Sequence, residues 1–316
     1  MTGSAASVSH RNLAEIVPKL ERLGELTLAD EVRRKMIRIS PAMIDRLVAP
    51  ARKRYQLRAR SQTKPGTLLK HQIPIRTFSD WNEARLGFVE IDLASHEGGD
   101  PRGDFAYTLD ATDICTGWTE TVAVRNRAER WVFAGLKEAL ARFPFEIRGI
   151  DSDNGSEFIN NHLVRYCSEQ KITFTRSRPY RKNDNCFVEQ KNSSVVRRTV
   201  GYARHDTPGE LDLLNELYSR LRLYTNYFQP VMKLVEKTRA GSRVMRKYDQ
   251  AKTPFARVLK SPHIEKQVKK DLRCDYKELN PVTLGREIDR LLDRLHSVAE
   301  RNAEAKPRST LEYIST

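Results

Sequence analysis

At 316 residues the chain has room for one sizeable catalytic domain and smaller flanking pieces. A hydrophobic fraction of 39% supports a real core and excludes wholesale disorder, while a formal net charge of +15 favours a polyanionic partner, nucleic acid before an anionic membrane surface. No apolar run approaches the roughly 18 residues of a spanning helix, and Met1 to His10 lack a signal-peptide core, so no membrane and a cytoplasmic location are expected. Cys115, Cys167, Cys186 and Cys274 form no CxxC pair, so neither a zinc knuckle nor a disulfide framework is expected.

Residues 1–57 are expected to be helical. Thr27-Leu-Ala-Asp30 reads as a capping box ahead of a basic amphipathic helix, Glu31 to Ile39. Ser40-Pro41 then supplies an N-cap and a first-turn proline for a second helix through about Lys53. The pair fits part of a helix-turn-helix with Arg52, Lys53 and Arg54 as candidate DNA contacts, or equally a packing appendage with a solvated basic end. Residues 58–80, polar, basic and broken by Pro65-Gly66, read as a linker.

Residues 81–205 change character. Phe88 to Leu93, Phe105 to Ile114 and Trp118 to Val124 alternate as strands, with Gly117 marking a hairpin between the last two. A helix follows with Trp131, Val132, Leu136, Ala139 and Leu140 on its apolar face, ending at Phe143-Pro144. Then come a strand at Glu146 to Asp151, a helix from about Ser156 to Gln170, a strand at Ile172 to Thr175, and a long helix from near Asp184. This order predicts an α/β domain with a mixed sheet and helices on its faces. In residues 206–316 a helix is expected from Gly209 to about Phe228 and another from about Leu284 to Glu300, with a basic, weakly patterned stretch between.

Asp92 lies inside the first strand, on one face with Phe88 and Glu90, where a buried carboxylate is costly unless paired or bound to metal. Asp153 follows the fourth strand in Asp151-Ser-Asp-Asn-Gly-Ser-Glu-Phe158, where Asn154-Gly155 turns the chain sharply. Glu189 stands early in the long helix, within Asn183-Asp-Asn-Cys-Phe-Val-Glu-Gln-Lys-Asn192. Three carboxylates from separate elements could converge on one sheet edge. Asp151 is the alternative to Asp153, Glu90 is a further neighbour of Asp92, Glu157 reads as a first-turn helix acid, and Asp110 and Asp113 read as turn or edge residues.

The aspartate before Asn154-Gly155, a glutamate with 35 residues between it and that aspartate, and an aspartate in the first strand resemble the DDE signature. That signature marks the integrase core shared by retroviral integrases and bacterial insertion-sequence transposases. The resemblance covers roughly residues 80–205. It implies a ribonuclease-H-like five-stranded mixed sheet, with a helical N-terminal segment and a basic C-terminal region beside it. It also implies Mg2+, with Mn2+ as a substitute: Asp92 would bridge two ions, Asp153 would hold one and Glu189 the other. Phosphodiester attack needs an activated nucleophile and a stabilised leaving oxygen, and hard cations on carboxylates serve both. The implied activity is cleavage at transposon ends followed by strand transfer into double-stranded target DNA, by a homo-oligomer assembled on DNA at the bacterial nucleoid.

Candidate DNA contacts outside the triad are Arg178, Arg181 and Lys182 in the loop before the long helix, and Lys191 and Asn192 beyond Glu189. From Val231 to Arg273 there are 13 Lys and Arg against 4 Asp and Glu, and Lys233, Lys237, Arg243, Arg246 and Lys247 are taken from that stretch. The family usually carries a fuller N-terminal DNA-binding region than residues 1–60. A truncated, catalytically idle DNA-binding protein that inhibits transposition is therefore the alternative to an active transposase.

Overall fold

The computed structural model describes residues 5–40, 42–44, 46–47, 73–75, 85–153, 155–178, 186–240 and 243–305. Five strands make a mixed sheet in the order β3-β2-β1-β4-β5: β1 (Phe88–Ser95), β2 (Tyr107–Asp113), β3 (Thr119–Val124), β4 (Gly149–Ser152) and β5 (Thr173–Arg176). The first three are antiparallel neighbours, whereas β4 and β5 run parallel to β1. Parallel pairing needs crossovers, and α3 (Glu129–Ala141) and α4 (Asn161–Glu169) supply them. This is the α/β, ribonuclease-H-like arrangement that the sequence resemblance implies.

Local chemistry sets the turns. Asp113 Oδ2 accepts the Thr116 N–H at 2.7 Å and its hydroxyl at 2.6 Å, and Gly117 closes the β2–β3 hairpin at a φ of 75°. The helix expected from Ser156 starts later. Asn160 caps α4 by accepting the Leu163 N–H at 2.8 Å, and residues 156–158 form a turn, so Glu157 precedes the helix instead of occupying its first turn.

One sheet face is apolar. Val89, Ile91, Leu109, Val122 and Ile150 are buried there against Val132, Leu136 and Ala139 of α3 and Leu163 of α4. Gly135 allows the close approach, since a Cβ there would stand 2.6 Å from Val124 Cγ1. The opposite face carries Glu90, Thr108, Asp110, Thr112 and Asp151, all buried beneath following helices. Those are α5 (Cys186–Lys191), a π-helical turn (Asn192–Arg197) and a last turn at Arg198–Val200.

The outer edge of β3 is sealed by α6 (Pro208–Phe228). The Asn215 side chain bonds both the N–H and the C=O of Ala123, at 2.9 and 3.1 Å; Asn226 does the same for Thr119, at 2.9 and 2.8 Å. About three helical turns separate these two asparagines, which complete a ladder that would otherwise be open to pairing. Beyond α6 the weakly patterned stretch is in fact ordered. It forms a hairpin of β6 (Leu234–Ala240) and β7 (Arg243–Tyr248), then α7 (Pro254–Lys260), α8 (Lys266–Glu278) and α9 (Pro281–Ala305). Ile288, Leu291 and Leu295 of α9 pack with Leu214, Leu217 and Leu221 of α6 in a second core.

At the N-terminus lie α1 (Ala5–Arg22) and α2 (Asp30–Arg38). The capping box at Thr27 does not form. Residues 26–29 form no helix, Ala29 occupies the cap in an extended conformation without a side-chain bond, and Asp30 is already inside the helix. Ser40 does act as expected, its hydroxyl accepting the Met43 N–H at 3.3 Å. In the stretch read as a linker, Ile75 bridges to Arg176 beside β5 and Ile73 is buried. Among the described residues no helix is long and apolar enough to cross a membrane.

Candidate active site

Asp92 is half-buried at the centre of β1. Its Oδ1 accepts the Leu93 N–H at 2.8 Å and its Oδ2 accepts the Asn192 side-chain amide at 2.7 Å. Burial pushes the Asp92 carboxyl well above the usual carboxylate range, and the charges of Asp153, Glu189 and Asp110 push it further. Asp153 stands just past β4, its Oδ1 accepting the Gly155 N–H at 2.8 Å, which fixes the turn that presents it. Glu189 is exposed in the first turn of α5. The charges that bear on Asp92 thus come from the end of β4, from α5 and from β2.

The supporting acids are distinct in role. Glu90 Oε2 accepts the Val188 N–H at 2.8 Å, so it ties the start of α5 to β1; burial raises it well above its ordinary value. Asp151 is buried and accepts the Thr175 hydroxyl at 2.5 Å. Asp110 corrects the sequence reading: it is no edge or turn residue but lies in mid-strand, directly across from Asp92 and wholly buried, with burial raising it to about 7. The alternation Thr108, Asp110, Thr112 on one face of β2 was the signal that this face is polar and covered.

Could these residues hold a divalent cation? The donors are all carboxylate oxygens, the type hard cations take, and the like charges crowding Asp92 are what a bound cation would neutralise. Among the described residues no three acidic, histidine or cysteine side chains already stand as a closed metal cage. The donor chemistry suits such an ion, and the charges of Asp153 and Glu189 bear on Asp92.

The basic residues divide. Arg52, Lys53, Arg54, Arg181 and Lys182 lie outside the described residues. Arg178 is exposed just past β5, and Arg246 and Lys247 are exposed on β7, with Lys247 Nζ 4.0 Å from Glu236. Lys237 and Arg243 belong to the same hairpin. Three expected DNA contacts are turned inward instead. Lys191 is only 6% exposed, because its helix position faces the sheet; burial lowers it to about 8 while Asp110 opposes the shift. Asn192 is engaged with Asp92. Lys233 is half-buried, donating to the Ile114 carbonyl and, at 2.6 Å, to the Cys115 carbonyl, an anchor that fastens the hairpin base to the β2–β3 turn.

The chain is similar to several known proteins. Residues 83–182 match the family described as the integrase core domain. A protein of Sinorhizobium fredii named uncharacterized protein y4rM is 44% identical over 242 residues, which cover 77% of this chain and 69% of that protein. Among solved structures, the catalytic core domain of BIV integrase aligns at a TM-score of 0.39 and 18% identity over 56% of this chain and 96% of that one. A chain of the simian T-cell lymphotropic virus intasome complex with PP2A regulatory subunit B56 gamma aligns at 0.38 and 13% identity, over 61% of this chain and 63% of that one, so less than two thirds of its length is spanned. The chain belongs to the same family as the Sinorhizobium protein, and its residues 83–182 carry the match to the integrase core domain.

Proposed function

We propose that this chain is a DDE transposase: it cleaves DNA at element ends and transfers the resulting 3′-OH strands into double-stranded target DNA, with Asp92, Asp153 and Glu189 as ligands of Mg2+ or Mn2+. The observation that carries the reading is the shared field at Asp92, where the charges of Asp153 and Glu189 act from two other elements. Divalent ions bound there would supply charge neutralisation and nucleophile activation for attack on the phosphodiester. The chain's own groups do the positioning. Asn192 and the Leu93 N–H orient Asp92, the Gly155 N–H orients Asp153, and Glu90 sets Glu189 by holding the start of α5. Arg178, Arg246 and Lys247, exposed at the surface, are the described side chains best placed to take DNA phosphates, with Lys237 and Arg243 on the same hairpin. The working form is a homo-oligomer on DNA at the bacterial nucleoid.

The test is end processing with DNA that flanks the gene, in Mg2+ and in Mn2+. Wild type should release 3′-OH ends, and Asp92→Asn, Asp153→Asn and Glu189→Gln should each abolish that release while still binding DNA. Near-normal cleavage by Glu189→Gln would move the third ligand elsewhere, Glu157 first. An idle DNA-binding protein would bind equally in all four forms and cut in none.

A further inference from the structure

Helix α8 arranges its positive charge in a line. Lys266, Lys270, Arg273 and Lys277 are all exposed and follow the spacing i, i+4, i+7, i+11. At about 100° per residue these four fall within about 60° of one another, a stripe about 16 Å long. Leu272, the buried residue of this helix, points at least about 100° away from it. The acids of α8 lie outside the stripe as well. Asp271 accepts the Gln267 side-chain amide at 2.7 Å, and Asp275 accepts the Tyr227 hydroxyl at 3.1 Å. Glu278 sits about 100° round from Lys277.

Surface cations elsewhere have acidic partners: Lys35 has Glu31, Arg220 has Glu287 and Arg294 has Glu216. Among the described residues none of the four on α8 does. Their neighbours three and four residues along the stripe are one another, and like charges at that spacing weaken a helix. Lys266 also opens α8, in a first turn without an acid, where the helix dipole disfavours a cation. The helix is held in place from its other side. Tyr276 stacks on Phe255 at 4.8 Å, and Lys19 donates to the Tyr276 carbonyl at 2.5 Å.

We propose that the α8 stripe is a phosphate-binding surface for double-stranded DNA, separate from the β6–β7 hairpin and from the candidate active site. The identity of the polyanion rests on the DNA-acting function proposed above. One strand of a duplex carries a phosphate about every 3.4 Å along the axis, so a stripe of about 16 Å spans about five of them. A row of four cations on an anchored helix is complementary to that run, and such contacts carry no sequence information. Helix α9 is the contrast. Its Arg286 and Arg290 have Asp289 and Asp293 three residues on, so its cations and anions alternate along one side.

The experiment measures binding of labelled duplexes of two unrelated sequences to the full chain by fluorescence anisotropy. EDTA is present so that no cleavage occurs, and the salt concentration is varied. Wild type is compared with Lys266→Ala/Lys270→Ala/Arg273→Ala/Lys277→Ala. A control of equal charge loss on α9 is Arg286→Ala/Arg290→Ala/Arg294→Ala/Arg301→Ala. The α8 variant should bind both duplexes roughly tenfold or more weakly and flatten the log K against log salt slope by up to about 3.6, about 0.9 per contact. The α9 variant should keep the wild-type slope. Alanine is the best helix former, so α8 should persist. Should the fourfold variant not fold, Lys270→Gln/Arg273→Gln decides: a slope flatter by up to about 1.8 supports the stripe, and an unchanged slope overturns it. Equal slopes in wild type and the α8 variant, or equal flattening in the α8 and α9 variants, would overturn the proposal alone. Loss of binding to phosphatidylserine vesicles in the α8 variant, with DNA binding unchanged, would overturn it in favour of a membrane surface. Absence of duplex binding by wild type at low salt would overturn the DNA-acting function beneath it.

Discussion

Asp92 keeps its orientation through one backbone N–H and one side-chain amide, so the amide is the simplest residue to remove. Asn192→Ala should lower end cleavage by roughly 10- to 100-fold, the usual effect of losing a group that orients a metal ligand. Raising the Mn2+ concentration should recover part of the loss, which a measurement of rate against Mn2+ would show. A second residue-scale effect lies far from the site. Burial pushes the Glu210 carboxyl up, but hydrogen bonds from His205 and from the Thr207 hydroxyl outweigh it and hold the group down to about 2. A carboxyl depressed by folding contributes stability above its unfolded value and loses it as pH falls. Thermal stability should therefore drop between about pH 4.5 and 2, and Glu210→Gln should be less stable at neutral pH with a flatter acid limb. An unchanged acid limb in that variant would place the acid sensitivity elsewhere.

At the scale of elements, charge count and charge placement separate. The stretch from Val231 to Arg273 is basic throughout, but Lys233 is an internal anchor whereas Arg246 and Lys247 face outward. Arg246→Ala/Lys247→Ala should weaken binding to all DNA sequences and flatten the log K against log salt slope by up to about 0.9 per lost phosphate contact. Lys233→Met should leave that slope unchanged and lower the melting temperature, because it unfastens the hairpin from Ile114 and Cys115. Equal slopes in wild type and the Arg246/Lys247 variant would remove the hairpin from the DNA surface. The same separation explains what sequence could show. Alternating strands, the hairpin at Gly117 and the helix α6 were legible because local rules fix them. The β6–β7 hairpin was not, since basic residues on both its strands hide the period-two pattern. Nor was the role of Asn215 and Asn226, which look like ordinary polar helix residues until the edge of β3 lies beside them.

For the molecule as a whole, the proposed function has the net charge of +15 and the acidic triad act in opposite senses, one gathering DNA and the other cations. Asp92, Asp153 and Glu189 could be picked out because the turn at Asn154-Gly155 and the helix after it have strong local signatures. Asp110 and Lys191 could not, because which helix face turns inward depends on the tertiary packing of α5 against β1 and β2. The N-terminal helices also meet the region that follows the core. Lys19 of α1 is buried against the rings of Tyr276 and Phe228, and Glu25 bonds Asn280, so the N-terminal helices are joined to α6 and to the region of α8 and α9. We propose that residues 81–205 form the catalytic core and that residues 1–57 and 206–316 flank it, with 58–80 between.

The central claim is strand transfer by a DNA 3′-OH at a carboxylate-held cation site, and one joining assay addresses it directly. Oligonucleotides carrying the sequence that flanks the gene, ending in either a 3′-OH or a 3′-deoxy group, are incubated with the full chain, Mn2+ and supercoiled plasmid. Joined product is expected from the 3′-OH oligonucleotide only, with none from the 3′-deoxy form and none from Asp92→Asn. Joining that survives Asp92→Asn, or that proceeds without the 3′-OH, would contradict that claim.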